Sequence, residues 1–185
     1  QWMTAGRGIL HSEMPQQEDG LMWGFQLWVN LPASDKMTAP RYQDIGPDRI
    51  PVVRPAAGVE VKVIAGELAG AIGPVEGIVT APVYLDIGLQ PGAQLTLDLP
   101  TSHHGFAYVF EGEAAIVGGE PLQRSELGVL SDGESLQLAG DNLPSRLLVV
   151  AGKPLNESVA RYGPFVMNTP EQIHEAIADF RAGRF

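Results

Sequence analysis

Residues 93–118 read AQLTLDLPTSHHGFAYVFEGEAAIVG. Two strand-like pieces, AQLTLDLP (93–100) and GFAYVFEGEAAIVG (105–118), flank a polar break. Pro100, Thr101 and Ser102 allow a bend there, and Glu111-Gly112-Glu113 reads as a hairpin turn with Gly112 at positive φ. The rhythm continues on both sides. VEVKVIAGEL (59–68) and APVYLDIGL (81–89) come before, LGVLSDGESLQLAG (127–140) and SRLLVVAGKP (145–154) after. Six such pieces, with turn signals about every 10 residues, have the spacing of a β-sandwich or small barrel. The 22 glycines and 15 prolines agree, since a chain that turns so often favours short strands over long helices.

Toward the N-terminus, residues 1–15 read as strand, glycine turn and strand, with Gly6 and Gly8 in the turn and Ile9-Leu10-His11 resuming the extended run. In Gly24–Leu31, Phe25, Leu27, Val29 and Leu31 fall on one face and Gln26, Trp28 and Asn30 on the other, the period of a strand. Residues 32–50 are rich in proline and polar groups and read as a linker. Trp2, Trp23 and Trp28 are expected in a core or a domain interface.

One helix closes the chain, in NTPEQIHEAIADFRAGRF. Thr169 suits the N-cap, Pro170 the first helical position, and Gln172 completes a capping box. Ile173, Ala176, Ile177 and Phe180 form an apolar stripe that should cover part of a β core, and Gly183 can end the helix.

Composition excludes several classes of function. A net charge of −10 and a pI near 4.7 repel phosphate backbones, which argues against direct nucleic-acid binding. The absence of cysteine removes disulfides, thiolate nucleophiles and Cys-type zinc sites. No apolar stretch approaches the roughly 20 residues of a membrane span. G-x-S-x-G and G-x-x-x-x-G-K-[ST] motifs are absent too. The chain opens Gln1-Trp2-Met3, strand-like at once, so a segment preceding Gln1 is expected.

His11 and Glu13 stand two apart. On a strand such residues share a face and can reach one ion. Imidazole with carboxylate, and no thiolate, suits iron, manganese, nickel or zinc. Two ligands do not make a site, however, and by themselves they read sooner as a surface histidine beside a solvated carboxylate. Adjacent His103 and His104 point to opposite faces of a strand unless the chain bends, and His174 falls on the polar face of the last helix.

Together QWMTAGRGILHSEMP (1–15), GFQLWVNLP (24–32), KMTAPRYQDI (36–45), YVFEGEA (108–114) and GPFVMNTPEQI (163–173) resemble the pirin family of the cupin superfamily. The resemblance implies an all-β bicupin with a short C-terminal helix, here truncated at its N-terminus. The implied division is 1–31 for the remaining strands of a metal-bearing cupin, 32–50 for a linker, 51–168 for a cupin without metal and 169–185 for the helix. The family's metal site takes two histidines from an H-x-H strand and a histidine and glutamate from H-S-E, which here are His11 and Glu13. The H-x-H strand would lie upstream of Gln1. In the second half an ungapped count puts Asp98 and Pro100 at the H-x-H positions and His104 where a glutamate would stand.

The activity this resemblance implies is Fe(II)-dependent dioxygenation of a flavonol such as quercetin, other divalent metals being possible. His11 and Glu13 would be ligands, with Glu13 also a catalytic proton acceptor. The alternative is a non-enzymatic, iron-dependent regulatory protein that binds a transcription factor or a metabolic enzyme. Expected partners are a flavonol-like small molecule or a protein, together with the missing N-terminal segment, and neither nucleic acid nor membrane. The expected location is cytoplasmic, or nuclear in a eukaryote.

Overall fold

Along Val59–Ala65 every second side chain is buried, Val59, Val61, Val63 and Ala65 inward, while Glu60 and Lys62 face solvent. That alternation is the unit of construction in this computed structural model, which describes residues 1–14 and 17–185. Pro15, the last residue of the first expected segment, lies outside the described residues.

The strands in chain order are β1 (Trp2–Thr4), β2 (Arg41–Gln43), β3 (Val52–Val53), β4 (Val59–Ala65), β5 (Glu67–Leu68), β6 (Ala71–Ile72), β7 (Val83–Leu89) and β8 (Gln94–Asp98). They continue with β9 (His104–Glu111), β10 (Ala114–Ile116), β11 (Pro121–Leu122), β12 (Leu127–Val129), β13 (Ser135–Gly140), β14 (Ser145–Gly152), β15 (Ala160–Tyr162) and β16 (Phe165–Met167). The helix α1 spans Pro170–Arg181. The chain divides into two compact units, residues 44–154 with Gln1, and residues 2–43 with 155–185.

The first unit is an antiparallel sandwich. One sheet has the order β12-β9-β14-β7-β4-β3 and the other β11-β10-β13-β8. Val61, Val63, Leu85, Ile87, Val109, Leu147 and Val149 of the first meet Leu95, Leu97, Leu136 and Leu138 of the second in one aliphatic core. Each fully buried side chain of this kind contributes about 1.5–3 kcal/mol. All six expected strand pieces of this region are present, and the all-β expectation holds.

The turn at Gly112 differs from the hairpin expected of it. Gly112 does take a positive φ (67°), and a β-carbon there would collide with the Pro144 carbonyl oxygen. Yet β9 and β10 lie in different sheets, because β9 is already flanked by β12 and β14 and has no free edge. The chain therefore changes sheet. Just before the corner the β14–β9 register steps from Leu147↔Val109 to Arg146↔Glu111, leaving Phe110 as the extra residue of a bulge.

On the outer face of the larger sheet, Arg146 stands opposite Gly88. With no side chain at Gly88, the guanidinium reaches across to Asp86 (Nη2 donating to Oδ2, 2.7 Å) and lies over the Phe110 ring at 4.8 Å. Burial pushes the Tyr84 phenol above its ordinary pKa, and the Asp86 charge adds to the shift.

In the second unit β1 pairs with β2, and β15 with β16. The capping box forms as expected. The Gln172 side chain accepts from the Thr169 backbone N–H (3.1 Å), and the Thr169 hydroxyl accepts from that of Gln172 (3.4 Å). The helix buries Ile173 and packs on the β15–β16 hairpin. Buried Lys36 donates to Asn30 Oδ1 (2.7 Å) and to the Val166 carbonyl (3.2 Å), fastening the 30–36 loop to β16. Desolvation lowers its pKa, opposed in part by Glu157.

Three sequence expectations need correction here. Neither Ile9–His11 nor Gly24–Leu31 is a strand; both runs lack a ladder partner among the described residues, and alternation without a partner leaves the chain extended but unpaired. Phe25 and Val29 are exposed, as are Trp23 and Trp28, so these tryptophans are not core residues. The stretch read as a linker contains β2 and two short 3-10 turns, Ala33–Asp35 and Pro47–Arg49.

Ile87 is fully buried in the aliphatic core. Ile87→Ala should therefore cost about 2–5 kcal/mol, read as a lower urea midpoint. A raised tyrosine pKa contributes stability that is complete below pH 10 and lost as pH rises through the folded-state value. Alkaline unfolding followed in wild type and Tyr84→Phe should show a smaller loss above pH 10 in the variant.

Candidate metal centre

The segment that carries His11 leaves a tight turn, in which the Gly8 N–H donates to the Ala5 carbonyl (3.0 Å). The turn is fastened sideways, since the Arg7 N–H donates to the Thr38 carbonyl (2.9 Å) and Gly6 lies so close to that carbonyl that a β-carbon would collide with it. Beyond Gly8 the chain runs through Ile9 and Leu10 to His11, Ser12 and Glu13 without a strand.

His11 Nδ1 and Glu13 Oε1 are 4.0 Å apart, with their side chains 35% and 51% exposed. The two side chains converge although the backbone is not a strand. Two donors held by one ion at about 2.1 Å each, in neighbouring positions, stand about 3 Å apart. A small rotation of either side chain closes the difference. One imidazole and one carboxylate form a donor set for iron, manganese, nickel or zinc, so these residues fit a divalent ion of that class. They supply two donors where a catalytic centre takes three or four. Among the described residues no group of three or more His, Asp or Glu is placed to hold an ion.

The other histidines are placed apart. His103 Nε2 donates to the Ala81 carbonyl (2.9 Å), and Ser102 Oγ lies 3.4 Å from its Nδ1, so both ring nitrogens have neighbours. His104 opens β9 on the exposed side, opposite Gly152. Asp98 lies with Gln94 and Thr96 on the exposed side of β8, while Leu95 and Leu97 point inward. The residues counted onto an H-x-H thus do not face the sandwich interior, which is aliphatic. His174 is exposed on α1. Sequence reasoning did not single out Lys36 or Thr38 for the anchoring of this region. Its signals there were the Gly6–Gly8 pair, which marked a turn, and the family resemblance of residues 36–45, neither of which showed that the two pack together.

Two antiparallel sheets enclosing one aliphatic core, joined by sheet-changing corners, define a cupin-type β-sandwich. Residues 84–185 match the family model described as the pirin C-terminal cupin domain, and residues 1–29 match the pirin model. The chain belongs to the pirin family. It is 46% identical, over 99% of its length, to a Pseudomonas aeruginosa protein provisionally named quercetin 2,3-dioxygenase, covering 66% of that protein. It is 44% identical to human pirin, over 98% of this chain and 63% of pirin. A crystal structure of quercetin 2,3-dioxygenase from Acinetobacter baumannii superposes with a TM-score of 0.80 at 38% identity, over 85% of this chain and 55% of that one. The chain thus spans about two thirds of the length of these curated relatives.

If His11 and Glu13 are ligands, His11→Ala and Glu13→Gln in the full-length protein should each weaken divalent-metal binding by at least about 100-fold. Metal content after dialysis, measured by mass spectrometry of the ion, checks this, and Ser12→Ala should retain wild-type content.

Proposed function

We propose that the protein containing this chain is a metal-dependent dioxygenase of flavonols such as quercetin, with Fe(II) as the metal. The observation that carries the reading is the convergence of His11 and Glu13 at 4.0 Å on a turn fastened to Thr38. The names of the Pseudomonas and Acinetobacter relatives support the substrate class. Fe(II), when bound, supplies a Lewis acid for a substrate hydroxyl and an electron source for O₂.

The chain's own part is to hold and to move a proton. His11, as a ligand, would present a ring nitrogen lone pair. Glu13 presents a carboxylate that is half exposed and so able to turn, which suits it to take the proton from a substrate hydroxyl. The remaining donors are proposed to come from a preceding segment of the same polypeptide. Leu10, Met14, Leu21, Met22, Trp23 and Phe25 are all exposed along this N-terminal part. Exposed apolar side chains of this kind suit a face that such a segment would cover.

The test is O₂ uptake by full-length, Fe(II)-loaded protein given quercetin. Uptake should depend on quercetin, and Glu13→Gln should lower the rate by about 100-fold or more. A metal-loaded protein that consumes neither reactant overturns the reading. Partner capture that followed the iron redox state would then favour the regulatory alternative.

A further inference from the structure

Gly8 lies against the ring of Phe185. A β-carbon at Gly8 would stand 2.5 Å from Cδ1 and 2.6 Å from Cγ of that ring, and its φ is +138°. Only glycine combines that backbone angle with that approach. The contact sits three residues before His11 and five before Glu13. Residues 8–14 take part in no strand, so no ladder guides the chain from the turn to the pair. The turn is thus gripped from two directions, by Thr38 at Gly6 and Arg7 and by Phe185 at Gly8.

Phe185 is itself held firmly. The end of α1 closes as a Schellman motif, with the Gly183 N–H donating to the Phe180 carbonyl (3.1 Å) and the Arg184 N–H to the Asp179 carbonyl (3.0 Å). The Arg184 Nε also donates to the Asp179 carboxylate at 2.8 Å. The Phe185 ring meets Phe165 of β16 at 6.1 Å and Phe180 of α1 at 5.8 Å, and those two rings are 6.3 Å apart. Such tilted and edge-on contacts resist sliding of any one ring.

We infer that Phe185 is a positioning residue for the His11–Glu13 pair: its ring is the wall against which Gly8 fixes the direction of the chain toward His11. The link to metal rests on the reading of this pair as ligands; the action of the ring on the segment does not. Ligand-bearing groups need placement within about 0.5 Å, and partners outside the ligand set typically govern metal affinity by about 10–100-fold. Without the ring, Gly8 keeps its wide backbone freedom, and each binding event must first order the segment.

A purely structural role for the three-ring cluster makes a different prediction. Phe180→Ala removes a ring from the same cluster without removing the one that touches Gly8. The experiment compares wild type, Phe185→Ala, Phe185→Tyr and Phe180→Ala in the full-length protein. Metal-free samples are read by backbone and His11 imidazole NMR relaxation, and Co²⁺ titrations are followed by visible absorption. Phe185→Ala should increase fast motion over residues 9–13 and weaken Co²⁺ binding about tenfold with altered absorption bands. Phe185→Tyr should restore both, and Phe180→Ala, which loosens the Phe185 ring but leaves it against Gly8, should change each clearly less than Phe185→Ala does. Unchanged relaxation at His11 in Phe185→Ala, or equal effects of Phe185→Ala and Phe180→Ala, overturns the inference. If wild type and His11→Ala bind Co²⁺ alike, the ligand reading fails, and the metal-free relaxation data still decide the role of Phe185.

Discussion

The structure depends on one seam of hydrocarbon. Val61, Val63, Leu85, Ile87, Leu147 and Val149 of one sheet face Leu95, Leu97, Leu136 and Leu138 of the other. Burying them is what holds two otherwise separate ladders face to face. Once that seam is occupied, charge is confined to the outer faces, and the Asp86–Arg146 pair sits there accordingly. Among the described residues the seam itself is built from aliphatic side chains alone.

Sheet-changing corners follow from the same constraint. A strand with partners on both sides cannot accept a third, so β9 passes its chain to the opposite sheet. The bulge at Phe110 and the positive φ of Gly112 bring this about together. The displaced Phe110 stays useful, since its ring carries the Arg146 guanidinium at 4.8 Å.

What the sequence made legible was local. Aliphatic alternation between turn residues marked all six strand pieces of the sandwich, and Thr169, Pro170 and Gln172 marked the helix start because a cap is written in four adjacent residues. What it concealed was relational. Gly24–Leu31 alternates as well as many strands do, but a strand also requires a neighbour, which no spacing rule supplies. Whether Gly112 turns a hairpin or a corner depends on the partners β9 already has. His11 and Glu13 were legible as a pair at i and i+2, and they do converge, although by a route other than strand geometry. The contact of Gly8 with Phe185 joins opposite ends of the chain, and neither residue signals the other.

The second compact unit is assembled from residues 2–43 and 155–185, with the sandwich residues 44–154 between them. At a synthesis rate of roughly 5–20 residues per second, the first part waits on the order of 5–20 s for the second. The sandwich has its whole sequence in hand during that interval and can close its sheets. The early part has neither the β15–β16 hairpin nor α1, so Lys36 lacks the Val166 carbonyl and Gly8 lacks the Phe185 ring. Newborn copies therefore pass through an interval in which residues 2–43 await their partners, and protection by a holding chaperone matters most while the middle of the chain is being made.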